Sequence, residues 1–328
     1  VPLGFFKKKE PQVLPPAQIG AFGKVPQMGD FLRTGSRLIP SFETWLEAGM
    51  AWGEKKHTAT WPTVYAAGPA HAFVFRPPAQ AAEKEIVAGV LRPSRDSVGR
   101  KFPLVVFVRL PERPPATVPH LMPLVLQDFF TAASQASMDG DSTTSASEYQ
   151  KRLSTMTPPA LALDATGDSY DLWSYGTSLS ELWTTIYGDP RSEAPLAALR
   201  AIRDALAPFA GQEYTLTPLS VRLPLGSGGA SAAAFWVDVV RRIAHWRAIV
   251  PTFFSRADGI LIQLGATPPN SLAELWSADP DSDVVCDLTT EMGHGRRADI
   301  LRALPRDVGV KLERGNTMVS DLLEVLGR

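Results

Sequence analysis

The chain has 328 residues, 45% hydrophobic and 20% charged, with a formal net charge of -1. These proportions are ordinary for a globular protein and exclude a disordered or coiled-coil chain, while the length allows one large or two medium domains. Acids and bases nearly cancel, so there is no single-sign field to draw in nucleic acid or an anionic membrane.

Twenty-nine prolines are nearly twice the usual share of about 5% and predict many ordered turns and short elements. The single cysteine, Cys286, excludes an intramolecular disulfide and a thiolate metal cluster. It sits in the apolar run DVVCDL, where a buried inert thiol is expected. No apolar run reaches the roughly eighteen residues of a membrane span, and VPLGFFKKKE lacks the apolar core of a signal peptide. A cytoplasmic location is therefore expected.

In chain order, residues 1–18 lack periodicity and read as a flexible arm. IGAFG, Ile19–Gly23, is a short strand, and GKVPQMGDFLRTG, Gly23–Gly35, is a glycine-punctuated connection. Ser41 then N-caps a helix whose apolar face is Phe42, Trp45, Leu46 and Met50, with Gly53 ending it. HAFVF, EIVAGVL and FPLVVFVRL follow as strands, the last apolar enough for a central position. VPHLMPLVLQDFFTAASQASM reads as one long helix. The polar stretch Met138–Gln150 marks a boundary, giving an N-terminal domain over 19–138, a linker over 139–160 and a second domain over 161–328.

In the second half, DATGDSYD, Asp164–Asp171, reads as a loop, and SLSELWTTIYG and EAPLAALRAIRDALAPF as helices. TLTPLSVRLPLG is a strand interrupted by prolines. The helix after GSGG carries Phe235, Trp236, Val239, Val240, Ile243, Trp246 and Val250 on one face until Pro251 stops it, with Asp238, Arg241 and Arg247 on the far face. TFFSRADGILIQLG is a hairpin turning at Asp258-Gly259, SLAELWSA a helix and DVVCDL a strand. The expected fold class is α+β: a mixed, mostly antiparallel sheet flanked by helices in the first domain, with a second α/β-mixed domain after it.

The chemistry-bearing motifs are mostly negative. GSGGASAAAF enters a helix without the following G-K-[ST] of a phosphate loop, and Lys24 stands at the wrong end of its own glycine stretch. His57, His71, His120, His245 and His294 lack metal-ligand spacing, G-x-S-x-G is absent, and the acidic run Asp279–Asp283 lacks the glycine and distal glutamate of a calcium loop. No catalytic residue, metal or cofactor is implied. GVLRPSRDSVGRKFPLVVF, Gly89–Phe107, stands out because two apolar strands are joined by a long charged connection. Ser94 could cap one helical turn ended by Gly99, displaying Arg95, Asp96, Arg100 and Lys101. The segment reads either as a recognition loop or as a solvated hairpin with an Asp96–Arg100 pair.

FGKVPQMGDFLR, the helix SFETWLEAGM and VAGVLRPSRDSVGRKFPL, in that order, resemble the type VI secretion-associated TagF proteins, also called the ImpM family. The resemblance covers 19 to about 135 and rests on Gly23, Lys24, Pro26, Gly29, Asp30, Phe31, Trp45, Pro93, Ser94, Asp96, Gly99, Arg100, Phe102 and Pro103, as structural or partner-binding positions. It implies a non-enzymatic, post-translational repressor of type VI secretion that binds the forkhead-associated scaffold protein or a neighbouring assembly component. The alternatives are a longin- or roadblock-like adaptor, and a phosphate-processing enzyme using Lys24, Asp30, Asp96 and Arg100. Gly23–Phe31 and Pro93–Phe102 are expected to lie against each other, with Asp30 or Asp96 holding Arg100. The bland reading of Lys24 is a solvated lysine.

Overall fold

The computed structural model describes residues 18–209, 215–277, 282–289, 297–314 and 316–327. The arm over 1–17, most of the acidic run from Asp279, and His294 lie outside them.

The architecture is α+β, built on one nine-stranded sheet between two helical layers. The first half supplies β1 (Ile19–Gly23), β2 (Leu32–Gly35), α1 (Pro40–His57), α2 (Trp61–Ala67), β3 (His71–Phe75), β4 (Glu85–Arg92) and β5 (Leu104–Pro111). Helices α3 (Met122–Val125), α4 (Gln127–Asp139), α5 (Ala146–Leu153), α6 (Leu163–Gly176), α7 (Leu179–Tyr187) and α8 (Ala194–Leu206) follow. Then come β6 (Ser220–Pro224), α9 (Gly229–Ile243), β7 (Phe253–Ser255), β8 (Gly259–Gln263), α10 (Asn270–Ser277) and β9 (Val285–Asp287). Helices α11 (Arg297–Ala303), α12 (Arg306–Glu313) and α13 (Val319–Leu326) complete the described chain.

The strand order is β2-β1-β5-β4-β3-β7-β8-β6-β9, antiparallel throughout except for the β6–β9 pair. Alternating side chains divide the core. Along β5, Val105 and Phe107 join an aromatic layer with Phe42 and Trp45 of α1, Trp61 and Tyr65 of α2 and Trp276 of α10. Leu104, Val106 and Val108 face the opposite layer, with Tyr149, Trp183 and Trp236. This period of two is what a strand covered on both faces requires.

The sheet does not break between the expected domains. Ala72, Phe73 and Val74 of β3 pair with Ser255, Phe254 and Phe253 of β7. Trp45 Nε1 donates to Pro268 O at 3.0 Å, and Trp276 Nε1 to Pro69 O at 3.1 Å, so indoles from each half are anchored on the other. The expected linker over 139–160 is instead occupied by α5. There Ser145 caps the helix, Tyr149 and Leu153 are buried, and Tyr149 Oη donates to Ala136 O at 2.6 Å. Two apolar side chains one turn apart suffice to dock a short helix, although they leave little periodic signal.

Other local expectations are corrected for similar reasons. Helix α1 starts with Pro40 at its first turn and Ile39 as the unbonded cap, so Ser41 lies inside it, and the helix continues through Gly53 to His57. Packing outweighs the roughly 1 kcal/mol that one internal glycine costs. The single helix expected before Met138 is divided at Leu126 into α3 and α4. The Asp164–Asp171 stretch is helical: Tyr170 points inward, while Asp164, Asp168 and Asp171 line the exposed side. Helix α9 stops at Ile243, because His245 turns left-handed (φ 52°) and Trp246 N closes back on Arg241 O at 3.0 Å. Asp238, expected on its solvent face, is fully buried beside Arg241, Arg242 and the hydroxyl of Tyr170.

Candidate functional site

At one end of the sheet, the connection leaving β1 meets the connection joining β4 to β5. Both stretches are shaped by their own sequences first. Pro26 sits at the second position of a turn closed by Met28 N to Val25 O at 3.1 Å, where its fixed φ is favourable. In the other connection, Arg95 bridges to Lys101, and Gly99 adopts φ 89°, a region that disfavours any side chain. The helical turn expected from Ser94 is therefore a tight strand-like loop. Ser94 instead exchanges bonds with Tyr65, whose hydroxyl donates to Ser94 O at 3.0 Å and accepts from Ser94 N at 2.9 Å. Burial pushes the Tyr65 phenol well above its ordinary value, which keeps the hydroxyl neutral and able to donate.

Asp96 ties the two stretches together. Its Oδ1 accepts from Val98 N at 3.1 Å and Arg100 N at 2.8 Å, and its Oδ2 from Lys24 Nζ and Arg100 Nε, both at 2.6 Å. Four donors saturate a carboxylate. Arg100 continues to Gly29 O at 2.5 Å, and Ser97 N donates to Met28 O at 2.9 Å, so backbone from both connections is crosslinked. Burial would raise the Asp96 carboxyl, but the hydrogen bonds from Lys24 and from Arg100, backbone and side chain, overcome it and hold the group far below the usual carboxylate range. Lys24 is only 5% exposed and Asp96 2%, so this lysine is not the solvated residue of the bland reading.

Beneath the ion cluster lies an aromatic triad. The ring of Phe102 stands edge-on to Phe22 at 5.7 Å and to Phe31 at 5.0 Å, while Phe22 and Phe31 stack at 5.5 Å. Lys24 Nζ is 5.0 Å from the Phe31 ring, and the Arg33 guanidinium is 5.0 Å from Phe22 and 5.7 Å from Phe31. Gly23 is obligatory for this meeting: at φ 137°, a Cβ there would stand 2.1 Å from Pro103 O.

The structure thus brings together Gly23, Lys24, Pro26, Gly29, Phe31, Ser94, Asp96, Gly99, Arg100, Phe102 and Pro103. Asp96 is the carboxylate that holds Arg100. Asp30 is exposed and enters no ion pair among the described residues. Pro93 packs near Gly68, and Trp45 belongs to the aromatic layer, stacked 5.4 Å from Phe254. Tyr65 was missed in the sequence, since nothing in local spacing links it to the signature residues, whereas Phe22 and Arg33 stand at the two ends of the FGKVPQMGDFLR stretch but were not singled out.

Outward from this fixed base, Val98 is 72% exposed, Phe31 37% and the Arg100 side chain 63%. An apolar tip beside a held guanidinium is suited to contact rather than to bond-making, because the cluster's only carboxylate has all its acceptor positions filled. Among the described residues, no three His, Cys, Asp or Glu side chains converge on a metal-sized site, and no helix is long and apolar enough to cross a membrane.

Residues 20–156 match a family described as TagF N-terminal domain, Type VI secretion system-associated. The crystal structure of PA0076 from Pseudomonas aeruginosa PAO1 is similar over 84% of this chain and 99% of its own, at 16% identity and a TM-score of 0.47. No curated protein matches the chain.

Proposed function

We propose that this chain, whose residues 20–156 match the family described as TagF N-terminal domain, Type VI secretion system-associated, is a non-enzymatic, post-translational repressor of a type VI secretion system. It acts in the cytoplasm by binding an assembly component, with the forkhead-associated scaffold protein as the partner. One observation carries this reading: the buried Asp96 cluster locks two connections in place while Val98, Phe31 and the outer part of the Arg100 side chain that it holds stay exposed. A preorganised surface loses little conformational entropy on binding, so a small patch can contribute usefully to affinity.

The test is overproduction of the chain in a host with an active system, with secretion and scaffold capture measured together. Wild-type chain should silence secretion and retain the scaffold. V98D, which places a charge on the exposed tip, should leave the melting temperature unchanged, restore secretion and release the scaffold. Undiminished secretion at verified soluble levels of wild-type chain would overturn the repressor reading. Silencing that survives V98D together with R100E would move the contact elsewhere on the molecule.

A further inference from the structure

A second polar site lies at the turn between β7 and β8 and shares no residue with the Asp96 cluster. His71, at the start of β3, is only 5% exposed and lines a cavity of about 300 Å³ together with Arg222, Arg256 and Asp258. Its Nδ1 lies 3.2 Å from Pro69 O, which makes Nδ1 the protonated nitrogen and leaves Nε2 with a free lone pair. No protein group among the described residues answers Nε2. Nε2 is open to the cavity rather than sealed in the core, so a group that enters the cavity can reach it.

The surroundings indicate the sign of the group that the cavity would take. Arg222 is a fixed cation: it donates to Asp287 Oδ2 at 2.8 Å and to Glu274 O at 2.7 Å, and its side chain is 12% exposed. Arg256 is more available. Its partner Asp258, reached by two bonds at 2.5 Å and 3.1 Å, has a side chain 70% exposed, so that pair lies at the solvent edge of the cavity and is screened. Among the described residues, the two carboxylates that meet these arginines are both engaged by guanidinium groups, which leaves neither of them to receive a cation. Burial and then the charge of Arg256, with a smaller part from Arg222, lower the His71 pKa to about 3 against the raising effects of the Pro69 O bond and of Asp258. An uncharged imidazole beside two guanidinium groups is the arrangement that an entering anion would relieve.

We propose that this cavity binds a tetrahedral oxyanion, namely a phosphate group, either free or as a monoester. Arg256 turns part of its fork from Asp258 to the anion, Arg222 supplies a fixed positive charge, and His71 Nε2 accepts a hydrogen bond from a protonated phosphate oxygen. Where the dianion binds instead, the imidazole takes one proton from solvent and donates Nε2–H to it, so that binding is coupled to proton uptake. The cavity exceeds the size of a phosphate group and leaves room for the carrier of an ester. Guanidinium groups suit this task because their planar donors match oxyanion geometry.

The full chain labelled with 15N-histidine would be titrated with inorganic phosphate, with O-phosphothreonine and with chloride at matched ionic strength. The expected result is a saturable shift of the His71 Nε2 resonance with a phosphate compound and none with chloride. R256Q should bind at least about tenfold more weakly, the loss expected for charged hydrogen bonds. R256K, which keeps the charge and loses the fork, should fall between the two, and covers the case in which R256Q fails to fold. Tighter binding of the phosphoester would make the ligand a monoester, and tighter binding of inorganic phosphate would make it the free ion. A shift that does not saturate with either, or equal affinity in wild type and a folded R256Q, would overturn the proposal and leave water as the partner of Nε2.

Discussion

Lys24 Nζ and Asp96 Oδ2 stand 2.6 Å apart across 72 positions of sequence, in a pair whose side chains are 7% and 0% exposed. Removing one member of a buried pair strands the other charge, so Lys24→Met should destabilise the chain by about 3 kcal/mol or more. Arg100→Ala removes a guanidinium that is mostly in water and should cost about 1 kcal/mol or less. Urea denaturation of the two variants checks the ordering. An Arg100 effect as large as the Lys24 effect would mean that Arg100, not Lys24, carries the buried bond.

The pH dependence follows from the same carboxylate. Asp96 has its folded pKa depressed below the ordinary 3.8, and Asp238 is depressed as well despite its burial. Their contribution is present in full above the unfolded value and is lost as pH falls through the folded one. His71 and His120 shift the onset upward. Their pKa values fall from 6.5 to about 3 and about 4, so below pH 6.5 the unfolded chain takes up protons that the folded chain refuses. Thermal unfolding should therefore show a stability decline beginning near pH 6.5 and steepening below pH 4. His120→Gln should remove part of the first phase and also weaken the acid phase, because His120 is the foremost of the charges that hold Asp238 down.

Two glycines with positive φ should respond differently to the same change. Gly23→Ala meets Pro103 O at 2.1 Å and strains the backbone, so it should force the two connections apart and cost more than about 2 kcal/mol. Gly99→Ala has open space around it and bears only the conformational cost, about 1–2 kcal/mol. Melting temperatures compare them directly. Scaffold capture should fail for Gly23→Ala and survive for Gly99→Ala.

Mild proteolysis should spare the stretch 138–150. Its polar composition suggests a protease-sensitive linker, but Tyr149 is fully buried and its hydroxyl bonds to Ala136 O. Tyr149→Phe should lose about 1 kcal/mol, the ordinary worth of one hydrogen bond. Cleavage of the wild-type chain at 138–150 before any other site would show that α5 is not docked in solution.

Much of the molecule is determined by short-range pattern alone. The strands HAFVF, EIVAGVL and LVVFVRL and the hairpin at Asp258 are legible because alternation and turn residues act over a few positions. The signature residues from Gly23 to Phe31 and from Pro93 to Pro103 were recognisable as a set, since their mutual offsets are unusual. Their meeting at one end of the sheet could be inferred from the need of short apolar strands to share a core.

What only the tertiary structure decided is which charges are buried and with whom. Lys24 looks like any loop lysine, Asp238 like a solvent-facing residue of a helix and His71 like the edge of a strand, yet all three are enclosed. The reason is physical: the charges of Lys24 and Asp238 are buried only where donors or acceptors from distant segments converge to offset desolvation, whereas His71 is enclosed as a neutral imidazole, and both outcomes are properties of the packed sheet. The same holds for the joining of the two halves, because pairing of β3 with β7 is fixed by register and layer packing across about 180 positions, beyond the reach of any local periodicity.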